Sequence, residues 1–285
     1  MIKINNVSKS FRKNLVLDGI DLNIDKGDRI ALVGSNGAGK TTLIRCLLGE
    51  YVHDGEIFMD DMQPRKERQA VLKRIGFVPQ IPPPLKMPVG QLINFSAGVC
   101  DSDPERMYAV SDTLGLDANK FKSQPFVKLS GGQKQKMLIS IALGRDTDFL
   151  IMDEPAANLD PEARHNFFSL LAKKKEDTAM IISSHRLDEV ASLVNRVVEL
   201  DQGKVVLNDQ VADQVDMDSI LNCEVKLIRA EDAFAKTVSE WGFVSDDNGI
   251  TWKGIVAGPD RLRFLGVLSR YAGLLSGIKM EEKPK

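Results

Sequence analysis

Residues 29–49 read RIALVGSNGAGKTTLIRCLLG. RIALVG is a short, continuously apolar run, which is typical of a strand buried on both faces of a sheet. A glycine-rich turn follows this run, and KTTLIRCLLG then has the apolar spacing of a helix that ends at Gly49. The stretch therefore predicts a buried strand, a glycine-rich loop and a helix in direct succession.

The loop in this stretch predicts a phosphate site. GSNGAGKT, residues 34–41, fits the pattern G-x-x-x-x-G-K-[ST]. Glycines let the backbone curl with its N–H groups pointing inward, and the helix that follows presents its positive N-terminus to an anion. Lys40 can reach the β- and γ-phosphates, Thr41 offers a hydroxyl to Mg²⁺, and Thr42 can reach the α-phosphate. We expect nucleotide contacts from Gly34, Ser35, Asn36, Gly37, Ala38, Gly39, Lys40, Thr41 and Thr42.

Polar residues at the ends of other apolar strands complete the predicted reaction site. FLIMDE, residues 149–154, delivers Asp153 and Glu154 to the carboxyl end of a strand. We expect Asp153 to hold Mg²⁺ through water and Glu154 to polarise the attacking water. Gln80 ends GFVPQ and can contact both the metal and that water. His185 follows AMIISS and can donate to the γ-phosphate. The predicted metal ligands are thus Thr41, Gln80 and Asp153.

Composition narrows the class of protein. The chain has 285 residues and a formal net charge of -2, which argues against a nucleic-acid binder that relies on a broad basic surface. No apolar run approaches the roughly 18 residues that cross a bilayer, and the start lacks the apolar segment of a signal peptide. Three widely spaced cysteines favour a reducing compartment. We therefore expect a cytoplasmic protein.

The order of elements predicts two domains. Strands alternate with helices up to about residue 213, which predicts an α/β fold whose largely parallel sheet carries an added antiparallel β layer. Residues 81–128, which begin with IPPPLKMP, are predicted to be an inserted helical subdomain. Residues 214–221 are predicted to be a linker. Residues 222–285 have the order βαββαβ, which predicts a small α+β domain of the ferredoxin-like type.

Taken in order, these motifs resemble those of one family, the nucleotide-binding domain of ABC (ATP-binding cassette) ATPases. GSNGAGKT is similar to the Walker A loop, Gln80 to the Q-loop, LSGGQ at 129–133 to the signature, and FLIMDE to Walker B. ANLD, which ends at Asp160, resembles the D-loop, and His185 the switch histidine. The resemblance covers about residues 1–213.

The resemblance implies a head-to-tail homodimer that holds two ATP molecules with Mg²⁺. Each ATP would lie between the Walker A face of one copy and the signature of the other. The signature residues that would meet the partner's phosphate are Ser130, Gly131, Gly132 and Gln133. The resemblance also implies that Phe11 stacks on the base and that Asp160 contributes to the nucleotide site.

Some positions depart from the family pattern. Phe11 stands where tyrosine is usual, although stacking does not need the hydroxyl. Lys136 and Ile141 stand on the helix after the signature, where arginine is usual, so the sequence leaves open whether this helix keeps its polar tie to neighbouring elements. Lys40, Asp153, Glu154 and His185 are all present, which predicts an ATP hydrolase with two active ATP sites in a homodimer.

Three classes within this family are open to the sequence: a transporter subunit, a non-transport ATPase that acts on nucleic acid or ribosomes, and a regulatory module without turnover. The chain carries one cassette, has no long coiled coil between Thr41 and Leu129, and keeps Glu154 and His185, so the transporter class is favoured. It implies a separate transmembrane permease that holds the chain at the inner face of the cell membrane, with no direct nucleic-acid binding.

Two surfaces are assigned more loosely. IPPPLKMP is expected to help dock a helix of the permease, although a proline run is as readily a simple turn. The C-terminal domain is expected to form a second dimer contact, with small-ligand sensing as the alternative. We expect export, and service to metalloenzyme maturation or haem-type export is one option among others.

Overall fold

The structure is a computed structural model that describes residues 1–184, 190–191, 193–210, 220–247, 249–257, 260–269 and 271–282. The chain divides into two compact units, Met1–Val211 and Ala212–Lys285. Each unit is described by itself below.

The first unit begins with a three-stranded antiparallel sheet. Its strands are β1 (Ile2–Phe11), β2 (Asn14–Ile24) and β4 (Asp54–Met59), in the order β2-β1-β4. One face of this sheet is buried, because apolar residues alternate with polar ones along β1 and β2. The predicted antiparallel β layer is confirmed.

The main sheet of the first unit has six strands in the order β5-β6-β7-β3-β8-β9. They are β3 (Arg29–Val33), β5 (Ile75–Val78), β6 (Phe149–Asp153), β7 (Ala179–Ser183), β8 (Arg196–Asp201) and β9 (Lys204–Gln210). All neighbours are parallel except β8 and β9, which form the predicted hairpin at Gln202–Gly203. Because parallel strands end at one edge, the residues after β3, β5, β6 and β7 share that edge.

Six helices accompany these sheets in the part of the first unit that is described. They are α1 (Lys40–Leu47), α2 (Arg68–Lys73), α3 (Val89–Val99), α4 (Pro104–Thr113), α5 (Gly131–Leu143) and α6 (Pro161–Ala172). Helix α2 was not expected, because its six residues carry only one buried apolar position, Val71. None of the described helices is long and apolar enough to cross a membrane.

Helix α5 belongs to two hydrophobic cores. Met137 and Leu138 pack with Ile93, Met107 and other residues of the predicted helical subdomain. Ile139, Ala142 and Leu143 on the same helix pack against the main sheet. The helical subdomain is therefore joined to the sheet by the helix that follows the LSGGQ motif.

The second unit has the element order βαββαβ. Its elements are β10 (Ile220–Leu227), α7 (Asp232–Ser239), β11 (Val244–Asp247), β12 (Thr251–Ala257), α8 (Arg261–Ser269) and β13 (Leu275–Glu282). The strands form an antiparallel sheet in the order β11-β12-β10-β13. Phe234, Trp252, Phe264 and other large side chains fill its core.

One predicted boundary differs from the structure, and two predicted segments lie partly outside the described residues. Strand β10 begins at Ile220, inside the segment predicted as a linker, because the alternation of buried residues along β10 already includes Leu221. The remainder of that segment, residues 214–219, lies outside the described residues, as do residues 187–189 and 192 of the helix predicted over 187–194.

Candidate nucleotide site

The loop after β3 adopts the curled backbone that its glycines predict. Gly34 has a φ of 144°, and a Cβ atom there would lie 2.3 Å from the carbonyl oxygen of Leu200. Gly39 has a φ of 109° and directly precedes α1. Only glycine adopts these conformations without strain. The N-terminus of α1 therefore opens directly onto the loop, where its backbone N–H groups can bind an anion.

Lys40 lies within this curl. Its side chain is only 8% exposed, and Nζ donates to the carbonyl oxygens of Gly34 at 2.6 Å and Ser35 at 3.1 Å. The loop's own carbonyls thus compensate the burial of the ammonium group. This arrangement keeps a positive charge beside the backbone donors of the loop.

Asp153 joins three elements at the carboxyl edge of the main sheet. It ends β6 and is 3% exposed. Thr41 Oγ1 donates to its Oδ2 at 2.7 Å, and Ser183 Oγ, at the end of β7, donates to its Oδ1 at 2.6 Å. The same Ser183 Oγ accepts the backbone N–H of Glu154 at 2.9 Å. One serine hydroxyl therefore orients both acidic residues of the FLIMDE motif.

Glu154 lines a cleft of about 600 Å³. Its φ of 48° is in the left-handed region, which costs a non-glycine residue of order 1 kcal/mol and persists only when the surrounding structure holds it. The backbone bond to Ser183 is part of that support. The cleft is lined by Val33, Gly34, Ser35, Asn36, Gln80, Glu154, Ala157, Ser184 and Glu199.

The residues at this edge fit a magnesium ion that arrives with a nucleotide. Mg²⁺ prefers oxygen ligands and is commonly bound through one or two side chains together with substrate phosphates and water. The hydroxyl of Thr41 and the carboxylate of Asp153 are in direct contact, and the Gln80 side chain lines the adjacent cleft. Among the described residues no cluster of three or more His, Cys, Asp or Glu side chains suggests a separate metal site.

The signature motif forms a capped helix start. Ser130 precedes α5, its Oγ accepts the N–H of Gln133, and Gln133 Oε1 accepts the N–H of Ser130 at 2.9 Å. Gly131 and Gly132 occupy the first turn, where backbone N–H groups have no acceptor within the helix. None of Ser130, Gly131, Gly132 and Gln133 lines the cleft beside Glu154.

Helix α5 is tied to the segment that follows Glu154. Lys136 Nζ forms an ion pair with Asp160 Oδ2 at 2.8 Å, and the buried Gln135 Nε2 donates to the carbonyl oxygen of Pro155 at 2.9 Å. The hydrogen bond from Lys136 is the largest cause that lowers the pKa of Asp160, and the hydrogen bond from the backbone N–H of Ala163 lowers this pKa further. Helix α5 therefore keeps a polar tie to its neighbours, and Lys136 supplies it.

Phe11 ends β1 with 41% of its surface exposed. Its ring meets that of Tyr51 edge-on, with 5.2 Å between the ring centroids, and Lys9 Nζ lies 4.7 Å from the Phe11 centroid. The ring is accordingly fixed in place and still accessible to a ligand.

The structure brings together some of the predicted residues and not others. Gly34, Ser35, Asn36, Gln80 and Glu154 share the cleft, whereas Asp160 caps α6 through the N–H of Ala163. His185 lies outside the described residues. Sequence reasoning missed Ser183 and Gln135. A polar residue that ends a buried strand was the available signal for Ser183.

Comparison with known proteins agrees with this geometry. Residues 17–157 match the family model described as ABC transporter. A Nod factor export ATP-binding protein from Paraburkholderia xenovorans is 32% identical, over 72% of this chain and 69% of its own length. A methionine import ATP-binding protein from Rhizobium johnstonii is 31% identical over 74% of this chain, which spans 61% of that relative.

The fold also matches solved structures. A dimeric bacterial ABC transporter cassette superimposes with a TM-score of 0.66 at 22% identity, covering 75% of this chain and all of that one. The cassette fold with its mixed sheet is thereby confirmed. The chain belongs to the ABC transporter family, as an ATP-binding subunit that hydrolyses ATP.

Proposed function

We propose that two copies of the chain close head to tail around two ATP molecules. The observation that carries this proposal is Gly131. It is exposed, its φ is not left-handed, and a Cβ atom there would meet nothing within 4 Å in its own chain. Its own fold therefore gives no reason for a glycine. Close approach of a phosphate held by a second copy supplies one. The dimeric cassette of similar fold supports the pairing.

Within each site, the assigned roles rest on the contacts described above and, for Phe11 and His185, on the resemblance to the family. Lys40 and the loop from Gly34 to Thr42 bind the phosphates, and Phe11 stacks on the base. Thr41 and Asp153 would hold Mg²⁺, with Gln80 beside them, and the ion would supply positive charge that offsets the charge of the phosphates. Glu154 accepts a proton from the attacking water. His185 donates to the γ-phosphate.

A charge placed at the signature tests the two-copy site. Ser130→Arg should leave binding of ATP to the monomer unchanged but block closure of the dimer, because the new guanidinium fills the anion site. Ser123→Arg, which adds the same charge at another exposed serine of the helical subdomain, is the matched control. Sedimentation in the presence of ATP measures dimer closure, and the rate of phosphate release measures turnover. A normal ATPase rate for Ser130→Arg would refute the composite site.

The helical subdomain over about residues 81–128 is proposed to dock a membrane-spanning subunit. The N–H of Val127 donates to the carbonyl of Leu85, and the N–H of Phe126 donates to that of Met87, so IPPPLKMP is held extended against residues 126–127. Ile81 is 77% exposed nearby in sequence. Photo-crosslinkers at Lys86 and Met87 should capture the permease, and failure at both positions would contradict this role.

The second unit is proposed to be a ferredoxin-like accessory domain over residues 222–285, joined to a cassette domain over 1–213. The order β11-β12-β10-β13 and its antiparallel pairing support that arrangement. We assign it a dimer contact rather than a ligand site, because its core is filled by aromatic side chains. Removal of residues 214–285 should weaken dimerisation. A changed response to a small ligand with intact dimerisation would favour sensing.

The transported substrate and the direction of transport are properties of the whole transporter. We keep export as the proposed direction, with the chain held at the inner face of the membrane by its permease, although the relatives serve both import and export. Purification from membranes through an affinity tag, followed by identification of the copurifying chains, tests the location and names the permease. Recovery without any membrane protein would contradict the proposed attachment.

A further inference from the structure

The two edges of the sheet in the second unit differ in their capacity to pair. Strand β11 has four residues and an irregular register against β12. Short, irregular strands protect a sheet edge from pairing with another chain. Strand β13 has eight residues, and none of the described strands pairs with its outer side. The β13 edge is therefore the one that can be extended.

The side chains of β13 divide between the two faces of the sheet. Met280 lies opposite Cys223 of β10, on the face that packs against the helices. Lys279 lies opposite Glu224, on the other face. Lys279 and Glu281, which are 67% and 63% exposed, form an ion pair at 2.9 Å along that face. The open face of β13 therefore carries one positive and one negative charge, two residues apart.

From this pattern we propose that β13 pairs antiparallel with β13 of a second copy, around a two-fold axis at Met280. This inference deepens the proposed dimer contact by naming its strand and register. The two sheets then form one eight-stranded sheet with the helices of both copies on one face. Lys279 lies opposite Glu281 of the second copy, and the reciprocal pair forms across the axis.

Charge selects this register over its neighbours. When the helices of both copies lie on one face of the joined sheet, each residue lies opposite a residue whose side chain points to the same face. The possible registers therefore differ by shifting the axis one whole residue at a time along the strand. With the axis at Lys279, the two copies of Lys279 would lie directly opposite each other. With the axis at Glu281, the two copies of Glu281 would do so. Like charges directly opposite destabilise a strand pair. The axis at Met280 lies between these two and replaces both repulsions with attractions.

Complementary charge reversal tests the register in the full chain without ATP. Lys279→Glu and Glu281→Lys, each alone, should weaken self-association roughly tenfold, since each sets like charges opposite at two places. An equimolar mixture of the two variants should restore association, because the two negative side chains of one variant then lie opposite the two positive side chains of the other. Sedimentation equilibrium measures all three samples. The register is overturned if the single variants associate normally or if the mixture associates no better than either alone.

A disulfide tests the axis. Met280→Cys in a Cys100→Ser/Cys223→Ala background should crosslink two chains, because residues on the axis bring their Cβ atoms to about 5 Å. Ile278→Cys in the same background is the control, since the two copies of residue 278 are offset by about 13 Å. The proposal is overturned if the two cysteine variants crosslink equally. It is also overturned if neither variant crosslinks, whether ATP is present or absent. ATP-driven dimerisation of Glu154→Gln, measured separately, tests the head-to-tail cassette dimer independently.

Discussion

Ser183 offers the sharpest test of how the reaction site is held. Its hydroxyl donates to Asp153 and accepts the N–H of Glu154, and its side chain is completely buried. The change Ser183→Ala removes both bonds and adds no bulk. The backbone N–H of Glu154 then keeps only a longer bond, of 3.3 Å, to the carbonyl oxygen of residue 183.

The expected cost follows from the groups that lose a partner. A hydrogen bond to a carboxylate contributes about 1.5–3 kcal/mol, and the weakened bond to the Glu154 N–H adds a smaller amount. We expect the free energy of unfolding of the first unit to fall by about 2–3 kcal/mol. The change should lower the urea midpoint by roughly 1 M, given an m-value near 2–3 kcal/mol/M. Residues that orient metal ligands typically affect affinity or activity by about 10–100-fold, so the Mg²⁺ concentration for half-maximal ATPase should rise about tenfold.

The chain carries its own internal reference for this measurement. Both of its tryptophans, Trp241 and Trp252, lie in the second unit. Tryptophan fluorescence therefore follows unfolding of the second unit, while circular dichroism is dominated by the larger first unit. Ser183→Ala should shift the circular dichroism transition and leave the fluorescence transition in place.

Ser140→Ala is the matched control. Ser140 is equally buried, but its Oγ donates only to the carbonyl oxygen of Lys136, one turn earlier in the same helix. Loss of such a bond within a helix has little net effect, so its urea midpoint should stay close to that of the unchanged chain. If Ser183→Ala behaves like Ser140→Ala in both the urea midpoint and the Mg²⁺ dependence, the proposed bridging role of Ser183 is refuted.

Three further outcomes are expected. Glu154→Gln should bind ATP, turn over at least about a hundredfold slower and accumulate as a dimer, and an unchanged rate would remove Glu154 as the base. Lys136→Met should lower turnover several-fold with ATP binding unchanged, whereas Lys136→Arg should retain the rate, since arginine can still pair with Asp160. Burial raises the pKa of Cys46 to about 11, so a thiol reagent at pH 8 should leave it unmodified in the folded chain and react instead with the partly exposed Cys100.

The sequence predicted those parts of the site that depend on local spacing. The curl between Gly34 and Lys40 is encoded by glycines in one short stretch, and the start of α5 by Ser130 and Gln133 three residues apart. Each feature is complete within a few residues, so a linear pattern suffices to predict it. The alternation along β10 was likewise local, and it predicted the strand but not its first residue.

Contacts between distant elements could not be read in the same way. Ser183 serves Asp153 only because β7 lies beside β6, and no spacing in the sequence reports that neighbour relation. The pairing of Lys136 with Asp160 was missed for a related reason. The family pattern has arginine on this helix, but the length of the side chain and the position of α6 decide whether the ion pair forms.

Helix α5 gives these contacts a common consequence. Its first turn carries the signature, its middle packs into the helical subdomain, and its last turns pack against the main sheet. Gln135 and Lys136 add polar ties to residues 155–160, directly after Glu154. Interiors packed this closely move as rigid bodies rather than deform continuously. A displacement of the signature towards a phosphate must therefore also move the subdomain proposed to bind the permease and bear on the segment next to Glu154. If two copies close around ATP as proposed, that shared helix is a physical route by which closure would move the membrane partner.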